Sequence, residues 1–167
     1  NALVSAILDT AKEVLRCGYA ELHLWNAQNG RFTNAVPQEG APVPDSMHDV
    51  LAQSAPTPAE FEWVRHQQRI LTRRDLASGR IESVELAGRS LPSAIAPLLV
   101  GADLIGVLVV NNAADEGPTF VRMLHILANH CALSLKNAQL FRAIDDMARR
   151  DSLTGLLNHA SFLDELE

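Results

Sequence analysis

Leu3, Val4, Ile7, Leu8, Ala11, Val14 and Leu15 recur at the three-and-four spacing of a single helical face, and Gly18 follows at a position where helices commonly end. The spacing predicts an amphipathic helix lying on a core. Residues 19–25 then alternate, with Ala20, Leu22 and Leu24 on one side and Glu21, His23 and Trp25 on the other. That period of two belongs to a strand with two different faces. Turn residues at 26–30 and a second short run at 31–36 complete a hairpin.

Most of the prolines fall between residues 37 and 58. A short helical pattern surrounds residues 45–53, and a further helix is predicted over 58–68, where Pro58 suits the first turn. Residues 69–71 make a short strand and 75–88 a polar excursion. Residues 93–100 and 103–112, joined at Gly101-Ala102, form the clearest hairpin, apolar on both faces and therefore covered on both. Gly106, without a side chain, lets a helix or a ligand approach the backbone closely. From Pro118 a helical pattern runs to residue 149 without glycine or proline. At ~1.5 Å per residue it spans on the order of 45 Å and should protrude. These elements predict an α+β fold in three layers. A central antiparallel sheet of five to six strands carries amphipathic terminal helices on one face and short helices and loops on the other.

The last helix has two apolar stripes. Leu124, Leu127, Cys131, Leu135 and Ala138 suit packing on the sheet. Met123, Ile126, His130, Leu133, Asn137, Leu140, Ile144 and Met147 follow alternating steps of three and four, the seam of a parallel two-stranded coiled coil. With Leu133, Leu140 and Met147 at d, Asn137 and Ile144 fall at a. A buried Asn pair at a favours two strands in one register. A homodimer through the terminal helices is the expectation.

Composition narrows the function. The 167 residues are 47% hydrophobic with a formal charge of −6, and no basic stripe is available to neutralise phosphates, so no nucleic-acid partner is expected. The apolar runs 94–100 and 104–110 are far shorter than the ~20 residues of a membrane helix, so no membrane contact is expected within these residues. Two cysteines and no visible signal peptide fit a cytoplasmic protein. Cys17 and Cys131 lie on or beside apolar helical faces, where a thiol is usually a small hydrophobe. The six histidines include no ligand pair spaced for one helix face, and no metal site is expected.

Two resemblances add to this. Ser93-Ala-Ile-Ala-Pro-Leu-Leu-Val-Gly-Ala-Asp-Leu-Ile-Gly-Val-Leu resembles the second strand pair of GAF domains, and the run from Leu127-Ala-Asn-His-Cys-Ala to Lys136-Asn-Ala-Gln-Leu140 resembles their closing helix. The likeness covers residues 3–141 and implies a sensory or regulatory domain whose pocket lies between the sheet and the middle helices. Phe61, Trp63 and Val64 would then supply apolar walls, with His66 or Arg65 a polar contact to an unknown small-molecule ligand. The cyclic-nucleotide signature of some GAF domains has no equivalent here. The setting of Cys131, after His130, differs from that of bilin attachment. Two thiols on terminal helices do not match the paired thiols of sulfoxide-reducing members. Haem ligation would fall to His48 or His66.

Asp151-Ser-Leu-Thr-Gly-Leu-Leu-Asn158 resembles the opening of GGDEF domains, the diguanylate cyclase family, with His159 in place of the usual Arg. That resemblance implies a linker over 142–152, the start of a GGDEF domain over 153–167, and a guanine contact for Asn158. Magnesium and GTP would belong to the part of that domain beyond Glu167, and no catalytic residue or cofactor is expected before it. The combined expectation is a small-molecule-sensing module signalling through a dimeric helix to a cyclic di-GMP output. The alternative is a ligand-free GAF dimerisation scaffold.

Overall fold

The computed structural model describes residues 2–35, 55–81 and 89–149. Along the chain run α1 (Ala2–Leu15), β1 (Cys17–Asn26), β2 (Arg31–Asn34), α2 (Pro58–Gln67), β3 (Leu71–Thr72), α3 (Arg73–Ala77), β4 (Ala94–Val100), β5 (Asp103–Ala113) and α4 (Pro118–Arg149). Five strands among the described residues form one antiparallel sheet in the order β2-β1-β5-β4-β3. The expected helix over 45–53 and everything expected over 150–167 lie outside the described residues.

Side-chain alternation divides the sheet's two faces. Ala20 and Leu22 of β1, Ala94, Ala96 and Leu98 of β4, and Leu108 and Val110 of β5 pack under α1 and α4 in one core. The terminal helices contribute Val4, Ile7, Leu8, Ala11 and Leu15 from α1, and Phe120, Leu124, Leu127, Cys131 and Leu135 from α4. Ile95, Val107 and Val109 face the other way and meet Val64, Leu71 and Leu76 in a smaller cluster beneath α2 and α3. Both faces are covered, which explains why β4 and β5 are apolar at successive positions. The α+β architecture with terminal helices on one side and short helices on the other is as expected.

Local endings differ in three places. α1 is closed by Arg16, at φ 49°, whose carbonyl accepts from the Ala114 N–H at 3.1 Å, so Gly18 is free to enter β1. There its missing side chain leaves room for Asn112, whose Cβ would lie 3.2 Å from a Cβ at 18. The polar excursion begins as the short helix α3, because Thr72 and Asp75 form a reciprocal capping box and Leu76 is buried. Gly106 makes room for neither a helix nor a ligand: a Cβ there would sit 2.3 Å from the His23 carbonyl oxygen on the adjoining strand.

Helix α4 holds to its sequence period over 32 residues, ~48 Å at 1.5 Å each. Its first half closes the core, whereas every residue from Gln139 to Arg149 is exposed. None of the helices among the described residues is long and apolar enough to cross a membrane.

Candidate functional site

The sheet face that meets α2 carries polar groups along β1, where the opposite face of the same strand buries Ala20 and Leu22. Tyr19, Glu21, His23 and Trp25 occupy alternate positions of β1, and all four are half-buried. His23 Nε2 lies 3.1 Å from Glu21 Oε2, with both side chains mostly withdrawn from solvent. Burial first, and then the Glu21 carboxylate, push the Tyr19 phenol above its ordinary pKa. Directly across the ladder from Tyr19 stands Asn111, 6% exposed, whose Oδ1 has no hydrogen-bond partner among the described residues. An acceptor buried without a donor costs about 1–3 kcal/mol. Asn111 shares the face of Tyr19, so this open acceptor belongs to the same polar ladder.

An aromatic row runs beside the ladder. The Phe61 ring, from α2, lies 5.0 Å from His23 and 5.0 Å from Phe32, tilted against the first and stacked on the second. Phe32 in turn packs 4.8 Å from Trp25, over which the Arg65 guanidinium sits at 5.3 Å. Ring centroids at these separations attract beyond their buried area. Together they hold α2 over β1 and β2.

A buried ion pair fixes the start of α2. Glu60, fully buried, accepts from Arg89 Nη1 at 2.5 Å and Nη2 at 2.8 Å, and Arg89 also donates to the Ala55 carbonyl at 2.9 Å. The same carboxylate receives the Thr57 N–H at 2.9 Å while Thr57 Oγ1 accepts from the Glu60 N–H. With partners on both oxygens, the charge is tolerated inside the fold.

Of the residues anticipated as pocket walls, Phe61 faces the ladder, Val64 is fully buried in the cluster beneath α2, and Trp63 packs against that cluster half-buried. His66 is exposed and turned to Glu62 and Arg65 on the outer side of α2, away from the ladder. His48 and Asn158 lie outside the described residues. Tyr19, Glu21, His23 and Asn111 were missed as site residues. Their signal was present in the polar alternation of β1 and in an Asn ending an apolar strand. What the sequence does not show is that Phe61 of α2 lies against His23.

Neither thiol takes part. Cys17 and Cys131 lie in the core beneath the terminal helices, and burial raises both, Cys131 to about 11. Among the described residues no group of three His, Cys, Asp or Glu is placed to hold a metal ion. The ladder offers hydrogen bonds, an open acceptor and an aromatic wall, an arrangement suited to holding a small molecule.

On the far side of α4 the second stripe stands in solvent. Ile126, Leu133, Leu140, Ile144 and Met147 are 52%, 53%, 50%, 58% and 68% exposed, and His130 and Asn137 are exposed between them.

A solved GAF domain from an Acinetobacter phosphoenolpyruvate-protein phosphotransferase is similar in fold, with a TM-score of 0.56 at 14% identity over 84% of each chain. A GAF domain/HD domain protein from Geobacter sulfurreducens gives 0.58 at 15% identity, over 83% of this chain and 93% of that one. The GAF domain of the potassium sensor histidine kinase KdpD from Escherichia coli gives 0.52 at 16% over 85% of each. No curated protein sequence matches. The GAF domain family model matches residues 1–135, and with the strand order and layers just described it establishes that this chain belongs to the GAF family.

Proposed function

We propose that this GAF domain, one of a family of sensory or regulatory modules, senses a small molecule on its polar sheet face and passes the signal along a dimeric α4. The output is a GGDEF domain with diguanylate cyclase activity. The observation that carries the reading is that one helix bears two apolar stripes. One closes the core, and the other, Ile126 to Met147, stands open at a coiled-coil period. A displacement that starts against the sheet is therefore carried by the same rigid element to its exposed end. Asp151 to Asn158 resembles a GGDEF opening, which supports the choice of output, and a cyclase that joins two GTP molecules needs two protomers.

The seam is tested by Ile144→Asp, which sets like charges at the dimer axis. Light scattering should report the monomer mass, and an unchanged dimer would overturn the seam. One feature favours the scaffold alternative: the His23, Phe61 and Phe32 rings already fill part of the sheet face. A thermal-shift screen of metabolites and nucleotides separates the two. A ligand at a hundred times its dissociation constant adds ~2.7 kcal/mol to the folded state, whereas a scaffold shows no shift with any of them.

A further inference from the structure

A second cleft lies outside the sheet face, along the flank of α4 where the sheet ends at β4. Its volume is about 500 Å³, within the range of small-molecule sites. Strand β3 pairs only with Ala94 and Ile95, so on that edge of β4 no strand among the described residues reaches Leu99, whose ladder partner is Leu104 of β5 on the other side. Ile70, Leu99 and Val121, all half-buried, supply an apolar floor. Arg69, from the turn after α2, and Arg122 and His125, from α4, rise around it.

The lining of the cleft is cationic. Although the net charge is −6, no carboxylate among the described residues lines the cleft. Elsewhere Arg65, Arg73, Arg80, Arg89 and Arg149 each meet an Asp or Glu within 4 Å, whereas Arg16, Arg31, Arg74 and Arg142, dispersed over the surface, meet none among the described residues. Arg69 and Arg122 meet none among the described residues. Two unneutralised guanidinium forks above an apolar floor are complementary to an anionic head on an apolar body.

We infer that this cleft binds a small organic anion, a carboxylate or phosphate ester carrying a compact apolar group, clamped between Arg69 and Arg122. Such a ligand joins the α2–β3 turn to α4 on the flank between its buried stripe and its seam. It is thereby placed to bias the helix independently of the polar sheet face.

Phenyl phosphate and benzoate serve as probes, with inorganic phosphate and benzamide as controls lacking the ring or the charge. Titrations followed by amide NMR should show saturable shifts at Ile70, Leu99, Val121 and His125 with at least one ringed anion, and the tighter of the two assigns the head group. Each control should bind at least roughly tenfold more weakly, as expected for one lost charge-assisted or apolar contact. Arg69→Gln and Arg122→Gln should each weaken the anion by about tenfold, with Arg122→Lys retaining part of the affinity. Both side chains are exposed, and unshifted amides in the core would report that the variants fold. Silence of these amides toward both anions, equal binding by benzamide, or unchanged affinity in the Arg69→Gln/Arg122→Gln protein would overturn the site. The monomeric Ile144→Asp protein should bind as tightly as the parent, so failure of this site and failure of the seam are distinguishable.

Discussion

Gly106 and Cys131 show how single positions are constrained by what surrounds them. In Gly106→Ala the new methyl would meet the His23 carbonyl, a backbone atom that cannot rotate away. Strands β1 and β5 must then separate at the middle of the sheet. Overpacking of this kind costs about 1–3 kcal/mol, and denaturant unfolding should show the midpoint falling with little change in slope. Cys131 carries the opposite constraint, since burial withholds the charged form and raises the thiol from 9.0 to about 11. Between those values the folded state holds a proton that the unfolded state has released. Stability contributed by this thiol is therefore complete below pH 9 and lost as pH rises toward 11. Alkylation by iodoacetamide at pH 8 should be negligible in the native protein and rapid after unfolding. Native alkylation at the unfolded rate would show that the helix does not seal the thiol.

At the scale of elements, most of the fold was legible because periodicity alone specifies it. The stripe on α1, the alternation in β1 and the unbroken pattern of α4 each translate into one buried face, and the long apolar hairpin could only be central. Helix α3 was not legible, since a five-residue turn with one buried leucine has no period, and its evidence lies in the Thr72–Asp75 cap. The site was only partly legible for a related reason: alternation tells which residues share a face, and only the tertiary fold tells what covers that face. His23 looks like a solvated histidine in sequence and becomes half-buried because Phe61 lies over it. That cover depends on the start of α2, where Thr57 and Glu60 cap one another. Thr57→Ala removes one of these bonds and should cost about 1 kcal/mol. Hydrogen exchange should quicken first in the opening turn of α2, before β4 or β5 change, and a uniform loss of protection would show that the cap supports more than this helix.

For the whole molecule, the seam on α4 poses a problem of specificity rather than strength. Leu133, Leu140, Ile144 and Met147 offer apolar contact at each turn, yet Asn137 stands among them, exposed in the single chain. In a parallel pair Asn137 falls at an a position, where two side-chain amides bond one another only if the helices are in one register. An apolar residue there would bind more tightly while accepting several alignments. Asn137→Leu is thus expected to lower the dimer dissociation constant by roughly tenfold or more. Sedimentation equilibrium should show tighter association accompanied by species larger than the dimer. Disulfide mapping with a cysteine at 140 should give one symmetric cross-link in the parent and several once Asn137 is replaced together with it. If the leucine variant associated no more tightly than the parent, Asn137 would face solvent in the assembly, and the two helices would meet along a different line.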